Sequence, residues 1–208
     1  MSIEEKKYWE SFYAKNRTFD KPSPFGEFVL PFIQEKKNML ELGCGNARDS
    51  FYFISNRKIT ITALDQCDDE IEFLNNKKDN LPIEFKAHDF TNYTEDNTFD
   101  YVYSRFTLHS VSPDDEKRTF TNVYTNLKEG GLFFVEVRST KDELYGVGTD
   151  LGNHQFVTDH YRRFIVMEEM IKNGEDAGLI LFYKLQSKGL APYKSEDPEV
   201  IRLIFKKK

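Results

Sequence analysis

The sequence predicts an α/β fold, a doubly wound and mainly parallel seven-stranded sheet covered by helices. Short β-branched segments alternate with amphipathic segments from residue 38 onward, a pattern that produces parallel strands covered on both faces. The first strand segment ends at a glycine-rich turn, Gly43-Cys-Gly45. The length of 208 residues favours one domain, residues 1–208, with a substantial core.

Two helical segments precede the first predicted strand. The first, Ile3 to Lys15, places aromatic residues at three- and four-residue steps, as an amphipathic helix requires: Tyr8, Trp9, Phe12 and Tyr13. The second opens at Ser23 or Pro24 and runs from Phe25 to Glu35, with a kink expected at Pro31. A minimal doubly wound unit has no place for these segments, so residues 1–37 are expected to form a helical cover over an α/β core of residues 38–208.

Strands and helices alternate regularly within that core. The predicted strands are Met39–Leu42, Ile59–Leu64, Ile83–Ala87, Phe99–Arg105, Leu132–Val137, Leu179–Leu185 and Val200–Phe205. The predicted helices are Asp49–Ile54, Asp68–Asn76, Pro113–Leu127 and Arg163–Ala177. The last two strands are expected to pair as a hairpin-like unit that closes the sheet.

Residues 139–160 interrupt the alternation. They contain Gly146, Gly148 and Gly152 and few apolar residues. A long irregular segment in a compact domain is uncommon unless it is a lid or a binding loop. We therefore expect a lid-like loop here, closing over a site together with the N-terminal helices.

The glycine turn predicts a nucleotide-like cofactor, because glycines let the backbone approach a ligand and the following helix offers unpaired N–H groups. The dinucleotide fingerprint G-x-G-x-x-G would require glycine at position 48, where this chain has Arg48. Glu41 stands two residues before the first glycine. A carboxylate there repels a pyrophosphate and suits a ligand with an ammonium group, so a dehydrogenase is disfavoured.

The segment Glu41-Leu-Gly43-Cys-Gly45-Asn-Ala47 resembles the first motif of class I S-adenosylmethionine-dependent methyltransferases, with Ala47 in place of the third glycine. The resemblance extends over nearly the whole chain, including Trp9-Glu-Ser-Phe-Tyr13 and Tyr103-Ser-Arg-Phe-Thr-Leu-His109. These motifs are similar to those of a small-molecule subgroup associated with surface-polysaccharide and natural-product biosynthesis. The resemblance implies a Rossmann-like methyltransferase fold, S-adenosyl-L-methionine as cofactor and a small-molecule acceptor.

The ends of the first four strands should converge on one ligand, because open α/β sheets bind ligands beyond the carboxyl ends of their strands. Asp65, twenty residues after Gly45, is spaced to accept hydrogen bonds from ribose hydroxyls. The resemblance implies that Asp89 and Phe90 contact the adenine, and Arg48 or Tyr13 is expected to meet the methionyl carboxylate. The predicted cofactor-binding residues are Tyr13, Glu41, Gly43, Gly45, Arg48, Asp65, Gln66, Asp89, Phe90, Ser104 and Arg105.

The expected acceptor pocket contains several arginines and histidines, although the chain has a formal net charge of −6. This local reversal of charge predicts an anionic acceptor, such as a phosphate, phosphonate, carboxylate or sugar nucleotide. The predicted substrate-binding residues are Arg105, Arg138, Tyr145, His154, Tyr161 and Arg162, and the predicted catalytic residues are His109 and Tyr145. An alcohol would need a base such as His109 or His154, whereas an amine or oxyanion would not, so O- and N-methylation both stay open.

Composition and motifs bear on the remaining function classes. The acidic balance disfavours nucleic-acid binding, and the fourth strand is followed by Ser104-Arg-Phe-Thr107 rather than by the Asp/Asn-Pro-Pro-aromatic motif of enzymes that flip a base. A non-catalytic S-adenosylmethionine-binding regulatory module and a nucleic-acid or protein methyltransferase are the alternatives. No carboxylates have metal-ligand spacing, so no metal is expected, and the sequence does not indicate an oligomeric state.

The sequence favours a reducing cytoplasm. Cys44 and Cys67 do not form a disulfide framework. The segment Met1-Ser-Ile-Glu-Glu-Lys-Lys7 is too charged for a secretion signal. No apolar run approaches the roughly 18 residues of a membrane span, so no membrane partner is expected.

Overall fold

The computed structural model describes residues 3–15 and 21–208, with side chains from residue 6 onward. Seven strands form one sheet in the order β3-β2-β1-β4-β5-β10-β9. These strands are β1 Asn38–Leu42, β2 Thr60–Asp65, β3 Ile83–Ala87, β4 Phe99–Arg105, β5 Leu127–Arg138, β9 Leu179–Ser187 and β10 Val200–Lys207. The first five are mutually parallel, and β10 runs antiparallel to both β5 and β9. The predicted α/β class and mainly parallel seven-stranded sheet are confirmed.

Helices cover both faces of this sheet. They are α1 Ile3–Lys15, α2 Pro24–Val29, α3 Arg48–Asn56, α4 Asp68–Lys77, α5 Pro113–Asn126 and α6 Met167–Asp176. One buried cluster joins the sheet to α5 and α6 through Phe120, Phe133 and Phe205. The other joins it to α2, α3 and α4, with Phe25 and Phe53 at its centre. Burial of such side chains contributes roughly 1.5–3 kcal/mol each, and it fixes the strand ends that carry the site.

The order of the strands reverses between β1 and β4. From β1 the chain proceeds outward to β2 and β3, and then returns to place β4 on the other side of β1. Leu42, near the end of β1, is paired with Ser104 of β4. Neighbouring loops therefore diverge at this point, and the crevice between them is where open α/β sheets bind ligands.

The segment predicted as an irregular loop, residues 139–160, contains two of the three strands of a small antiparallel sheet, so that prediction was wrong. The strands of this sheet are β6 Thr149–Gly152, β7 Gln155–Val157 and β8 Tyr161–Arg163. Asn153 and His154, which connect β6 to β7, both have positive φ, +51° and +62°. This is the geometry of a two-residue hairpin turn whose twist matches that of its strands. Because β8 includes Arg163, the following helix begins at Met167 and not at Arg163.

Two other boundaries differ from the predictions. Ser23 caps α2 by accepting a hydrogen bond from the Gly26 N–H, but the helix ends at Val29 and a 3-10 turn, Leu30–Phe32, takes the place of its last turns. Pro31 lies in that turn and lacks the N–H that an α-helix would need. Within the described part of the chain, no helix combines the length and apolar character that a membrane span requires.

Candidate cofactor and acceptor site

A cavity of about 650 Å³ opens at the carboxyl ends of the parallel strands, a size typical of small-molecule sites. Its walls are the glycine turn, α1, the ends of β4 and β5, and the β7–β8 segment. The cavity brings together most of the predicted site residues: Tyr13, Glu41, Gly43, Gly45, Arg48, Asp65, Gln66, Asp89, Phe90, Arg105, His109, Arg138, Tyr161 and Arg162. Ser104, Tyr145 and His154 do not line it.

The glycine turn is tightly enclosed. Gly43 and Gly45 both have positive φ, +69° and +52°, a backbone conformation that residues with a side chain rarely adopt. A Cβ at Gly43 would lie 2.2 Å from the Thr107 side chain, and one at Gly45 would lie 2.7 Å from the Tyr13 ring. Ala47, in the third position of the motif, also has positive φ, +59°. The turn therefore keeps its left-handed backbone at all three positions and accepts only the smallest side chains.

Asp65 holds the glycine turn from the end of β2. One carboxylate oxygen accepts a hydrogen bond from the Gly45 N–H at 2.8 Å, and the other accepts one from the Cys67 N–H at 3.0 Å. Burial raises the pKa of this carboxyl, and the backbone N–H donors oppose that rise. Because a carboxylate accepts about four hydrogen bonds, Asp65 retains acceptor capacity toward the cavity.

Glu41 completes a cluster of three buried carboxylates with Asp49 and Asp65. Asp49 accepts hydrogen bonds from Ser23 and from the Tyr103 hydroxyl, whereas Glu41 accepts one from the Ser50 hydroxyl. Burial, followed by the charge of Asp49, raises the pKa of Glu41 to about 8. Glu41 therefore holds a proton at neutral pH in this structure.

Of the residues predicted to bind the cofactor at the ends of β3 and β4, some line the cavity and one does not. Asp89 caps the turn after β3 by accepting hydrogen bonds from the N–H and hydroxyl of Thr91, and Phe90 beside it is buried. Ser104 was predicted to bind the cofactor, but it is fully buried and hydrogen-bonded to the Thr107 hydroxyl. Ser104 belongs to strand β4 and does not line the cavity, so its contact with the cofactor stays a prediction.

Helix α1 crosses the cavity from the glycine turn to the small sheet. Tyr13 lies against Gly45 at one end. At the other end the Tyr8 ring stacks on His160 with centroids 4.4 Å apart, and Trp9 meets His160 edge-on at 5.0 Å. The Tyr8 hydroxyl also donates to Asp159 at 3.0 Å. Aromatic contacts therefore hold α1 over the site.

The arginines of the cavity are paired with carboxylates. Arg105 donates to Glu136 at 3.0 Å, and fully buried Glu136 is shared with Arg202. Arg138 uses both terminal nitrogens, one on Asp142 at 3.0 Å and one on Glu196 at 2.7 Å. Arg162 lies 3.5 Å from Asp159. Much of the positive charge predicted from the sequence is therefore neutralised within the protein.

His109 is buried and lies between Phe106 and Arg138. Its Nδ1 accepts a hydrogen bond from the backbone N–H of Arg138 at 3.2 Å. Burial, together with the neighbouring arginines, holds the pKa of this imidazole well below its usual range. His109 is therefore neutral at physiological pH.

Tyr145 and His154 face a different part of the molecule. The Tyr145 hydroxyl lies 2.8 Å from His154 Nδ1, and its ring packs on Phe156 and Phe164. Tyr145 is 39 % exposed. Neither residue lines the cavity, so the structure does not place them with the substrate or the reacting atoms.

The cavity also contains residues that sequence reasoning missed. Phe106 has φ +57°, a strained value for an aromatic residue, and its ring lies 4.4 Å from the Arg105 guanidinium. The connection between β9 and β10 adds Tyr193 and Glu196 to the wall. Phe106 lay inside a quoted motif, but the β9–β10 connection carried no local signal because its position depends on the antiparallel return of β10.

Comparisons with known proteins identify the domain. Residues 39–131 match a family described as a methyltransferase domain. The chain carries a class I methyltransferase domain. Its matched part spans β1 to the first residues of β5 and contains the glycine turn, Asp65 and Asp89, and S-adenosylmethionine is the cofactor of this class.

Curated relatives match part of the methyltransferase domain. Phosphoethanolamine N-methyltransferase 3 of Arabidopsis thaliana is 32 % identical over 113 residues, covering 52 % of this chain and 23 % of that protein. Phosphoethanolamine N-methyltransferase of Triticum aestivum is 30 % identical over 116 residues, covering 52 % and 22 %. The alignments therefore span less than a quarter of these relatives.

Solved structures share the fold of the methyltransferase domain. An S-adenosylmethionine-dependent methyltransferase from Methanosarcina mazei has a TM-score of 0.76 at 17 % identity, covering 86 % of this chain and 96 % of that one. The 1,6-didemethyltoxoflavin-N1-methyltransferase of Burkholderia thailandensis, solved with S-adenosylhomocysteine, has a TM-score of 0.70 at 16 % identity, covering 88 % and 76 %. The [4+2]-cyclase SpnF has a TM-score of 0.68 at 15 % identity, covering 88 % and 80 %. At these identities the likeness shows the fold alone.

Proposed function

We propose that this chain transfers a methyl group from S-adenosylmethionine to a small molecule that bears an anionic group. The observation that supports this most directly is the cavity at the strand reversal, which contains the glycine turn, Glu41 and Asp65 and is covered by α1. Holding two reactants in line at close range can supply a large part of the rate enhancement of a displacement. A cover that excludes water serves the same end.

In this proposal the glycine turn accepts the body of the cofactor and the carboxylates accept its donors. Gly43 and Gly45 allow close backbone approach, and Asp65 uses its remaining acceptor capacity for the ribose hydroxyls. Glu41, buried beside Ser50, meets the ammonium group and becomes ionised when that charge arrives.

The outer ends of the cofactor are assigned to the flanking residues. Asp89 and Phe90, which line the cavity together with Gln66, receive the adenine. Arg48 and Tyr13, which also line the cavity, receive the methionyl carboxylate. A guanidinium suits a planar carboxylate because its donors match both oxygens.

The anionic group of the acceptor is assigned to Arg105 and Arg162. Arg105 uses Nε toward Glu136 and Arg162 uses one terminal nitrogen toward Thr158, so other donors of each guanidinium remain for a ligand. Arg138 is less suited, because Asp142 and Glu196 take both of its terminal nitrogens. The phosphate of phosphoethanolamine, named in both curated relatives, is one anion of the required kind.

The biological setting of the proposal comes from the subgroup resemblance, which points to surface-polysaccharide or secondary-metabolite biosynthesis. Cys44 and Cys67 are free thiols, which fits the proposed location in a reducing cytoplasm. Tyr161, which lines the cavity and donates to Gln155 at 2.8 Å, is proposed to contact the acceptor. The residues that the structure describes show no cluster suited to a metal ion, and the proposal uses none.

The first experiment measures cofactor binding and acceptor choice. Calorimetry with S-adenosylhomocysteine should show Asp65→Ala losing roughly 10- to 150-fold in affinity, since a charged hydrogen bond contributes about 1.5–3 kcal/mol. Asp69→Ala, an exposed carboxylate on the same segment, should bind like the wild type. Equal affinities in both variants would reject the assigned site.

Methyl transfer is then tested with labelled S-adenosylmethionine against phosphorylated, phosphonate, carboxylate and sugar-nucleotide acceptors. Arg105→Ala and Arg162→Ala should raise KM for the true acceptor by roughly 10-fold or more, with cofactor affinity kept by Arg162→Ala. A neutral acceptor would reject the anionic assignment. Tight cofactor binding without any transfer would instead favour the regulatory alternative. The [4+2]-cyclase among the structural neighbours shows that the fold alone does not decide whether a protein transfers a methyl group.

A further inference from the structure

We infer that His109 serves the acceptor as a fixed hydrogen-bond donor, and that the methyl-accepting atom is a nitrogen that reacts without a protein base. The inference rests on the proposed methyl transfer and adds the class of the accepting atom. It is carried by the hydrogen bond that fixes the His109 imidazole and by the contacts of the other titratable groups at the same end of the cavity.

The hydrogen bond to Arg138 determines which nitrogen of His109 carries the proton. A backbone N–H is always a donor, so Nδ1, 3.2 Å from the Arg138 nitrogen, must provide a lone pair. A neutral imidazole has one lone-pair nitrogen and one N–H, and the proton therefore lies on Nε2. To act as a base His109 would have to take a second proton on Nδ1 and lose the bond to Arg138.

The charges around His109 oppose that second proton. Arg138 at the end of β5 faces it, and Arg162 and Arg163 of β8 add two further cations. Their counterions, Asp142, Asp159 and Glu116, are each engaged with an arginine, and His160 before β8 is itself an imidazole. No carboxylate is hydrogen-bonded to His109 among the described residues, so the imidazolium form has no direct counterion.

His160, the other imidazole in the cavity wall, is no better placed as a base. Tyr8 stacks on its ring and Trp9 meets it edge-on, so aromatic side chains of α1 cover it. Its Nδ1 lies 3.0 Å from Asp159, whose carboxylate also binds Tyr8 and Arg162. Burial lowers the pKa of His160 to about 4.

Neither Tyr8 nor Asp159 has a pKa near neutral pH. Burial and Asp159 raise the pKa of Tyr8 to about 12. Burial opposes ionisation of Asp159, but hydrogen bonds from Thr158 and Tyr8, together with the interaction with His160, lower its pKa to about 2. Glu41 has a pKa near 8, but it lies beneath the glycine turn against Ser50. A general base works best with a pKa near the operating pH, and none of these three groups combines such a pKa with a place at the acceptor end.

An amine or ring nitrogen satisfies these constraints. Its lone pair forms the N–C bond while the S–C bond breaks, and the electrons of the S–C bond pass to sulfur to give S-adenosylhomocysteine. Any proton on the nitrogen leaves to water before or after the transfer. An alcohol would have to lose its proton as the methyl arrives, and neither His109 nor His160 is placed to take that proton.

The protonation of His109 can be measured without any methyl transfer. Long-range proton–nitrogen NMR of the S-adenosylhomocysteine complex, with the His109 signals identified by His109→Gln, should show a neutral imidazole with hydrogen on Nε2 from pH 5.5 to 8. Titration of His109 between pH 6 and 7, or hydrogen on Nδ1, would overturn the inference. Because this result is independent of turnover, failure of the proposed function would be distinguishable.

The accepting atom is tested with a matched pair of acceptors, phosphoethanolamine and the same phosphate ester with a hydroxyl in place of the amine, or the equivalent pair from the acceptor class that the screen identifies. The amine should be methylated at least 100-fold faster, with kcat/KM following the pKa of the acceptor. His109→Gln, which keeps an N–H donor, should retain the wild-type pH profile and more activity than His109→Ala, and exposed His88→Gln should match the wild type. Comparable methylation rates on the hydroxyl compound of the pair would refute the nitrogen acceptor. An ionisation in the pH profile that disappears in His109→Gln would refute the role of His109 as a fixed donor.

Discussion

Glu41 is a residue of the site whose pKa depends on its burial and on its charged neighbours. It is buried beside Asp49 and Asp65, and Arg48 approaches the same cluster with its Nε 3.9 Å from Asp49. Burial, and after it the charge of Asp49, raises the pKa of Glu41 to about 8, because three buried carboxylates with one nearby arginine cannot all be ionised at low cost. Below that pH Glu41 holds a proton that a cationic ligand would displace.

Glu41→Gln should stabilise the ligand-free protein in a pH-dependent way. The folded pKa near 8 lies above the ordinary value of 4.5, so the contribution of Glu41 to stability is fully present below pH 4.5 and is lost as pH rises through 8. Glutamine keeps the shape and removes this loss. We expect equal Tm values near pH 4.5 and an excess of about 2–4 °C or more for the variant at pH 9, corresponding to at least ~1 kcal/mol.

The same variant should bind S-adenosylhomocysteine more weakly, because its amide cannot neutralise an ammonium group. Thermal melts at pH 4.5, 7 and 9 and calorimetry at pH 8 measure both effects. Parallel pH dependence of Tm in the variant and the wild type would show that Glu41 is ionised in the ligand-free protein.

At the scale of elements, α1 is held over the cavity by its aromatic side chains. Trp9 stacks on Tyr13 with centroids 5.9 Å apart and touches His160, so it connects the part of α1 at the glycine turn with the part at the small sheet. Lys6 adds an ion pair to Asp68, but partly exposed pairs of this kind contribute little. The position of α1 therefore depends mainly on rings that also line the site.

Trp9→Ala should weaken S-adenosylhomocysteine binding while changing Tm only slightly. Loss of the ring removes the contacts at both ends of α1, roughly 0.5–1.5 kcal/mol for each aromatic pair, and the affinity should fall by about 10-fold. Phe182→Ala, which removes a 61 % exposed ring on β9 away from the cavity, is the control. Trp9 is the chain's single tryptophan, so wild-type fluorescence should also change on binding, and an unchanged spectrum and affinity would place the cover elsewhere.

The alternation of strands and helices was predictable because each strand of a covered parallel sheet needs a continuous apolar run and each crossover helix an apolar face. The glycine turn, Asp65 and Asp89 were predictable for a related reason, since strand ends in this topology meet at one edge. The small sheet was not predictable from the sequence, because all four residues of β6 are exposed and they show no alternation of buried and exposed positions. Its turn at Asn153 and His154 requires positive φ at two positions that are not glycine.

At the scale of the whole molecule, the antiparallel return of β10 ties distant parts of the chain together. Lys207 near its end is buried and donates to Asn97 at 2.9 Å, to the Tyr124 carbonyl at 2.7 Å and to the Leu127 carbonyl at 2.8 Å. These acceptors lie around the end of α5 and the start of β5. One ammonium group thus satisfies the helix end and fixes β10 against its neighbour.

Lys207→Ala should destabilise the protein by about 2–3 kcal/mol, because it leaves buried carbonyls without a donor. The expected fall in Tm is roughly 4–12 °C for a chain of this size. Lys206→Ala removes an exposed lysine on the same strand and should lie within about 0.5 kcal/mol of the wild type. Equal melting temperatures for the two variants would show that solvent replaces the lysine at no cost.

The place of β10 between β5 and β9 also has a consequence for the order of events during translation. Strand β5 gains its antiparallel neighbour only when residues 200–207 emerge, about 60 residues after β5 itself. At ordinary elongation rates that interval is roughly 3–12 s. Throughout it the nascent chain presents the unpaired edge of a long strand rich in Phe and Val, so a ribosome-bound intermediate of this protein is a natural client for chaperones that shield strand edges.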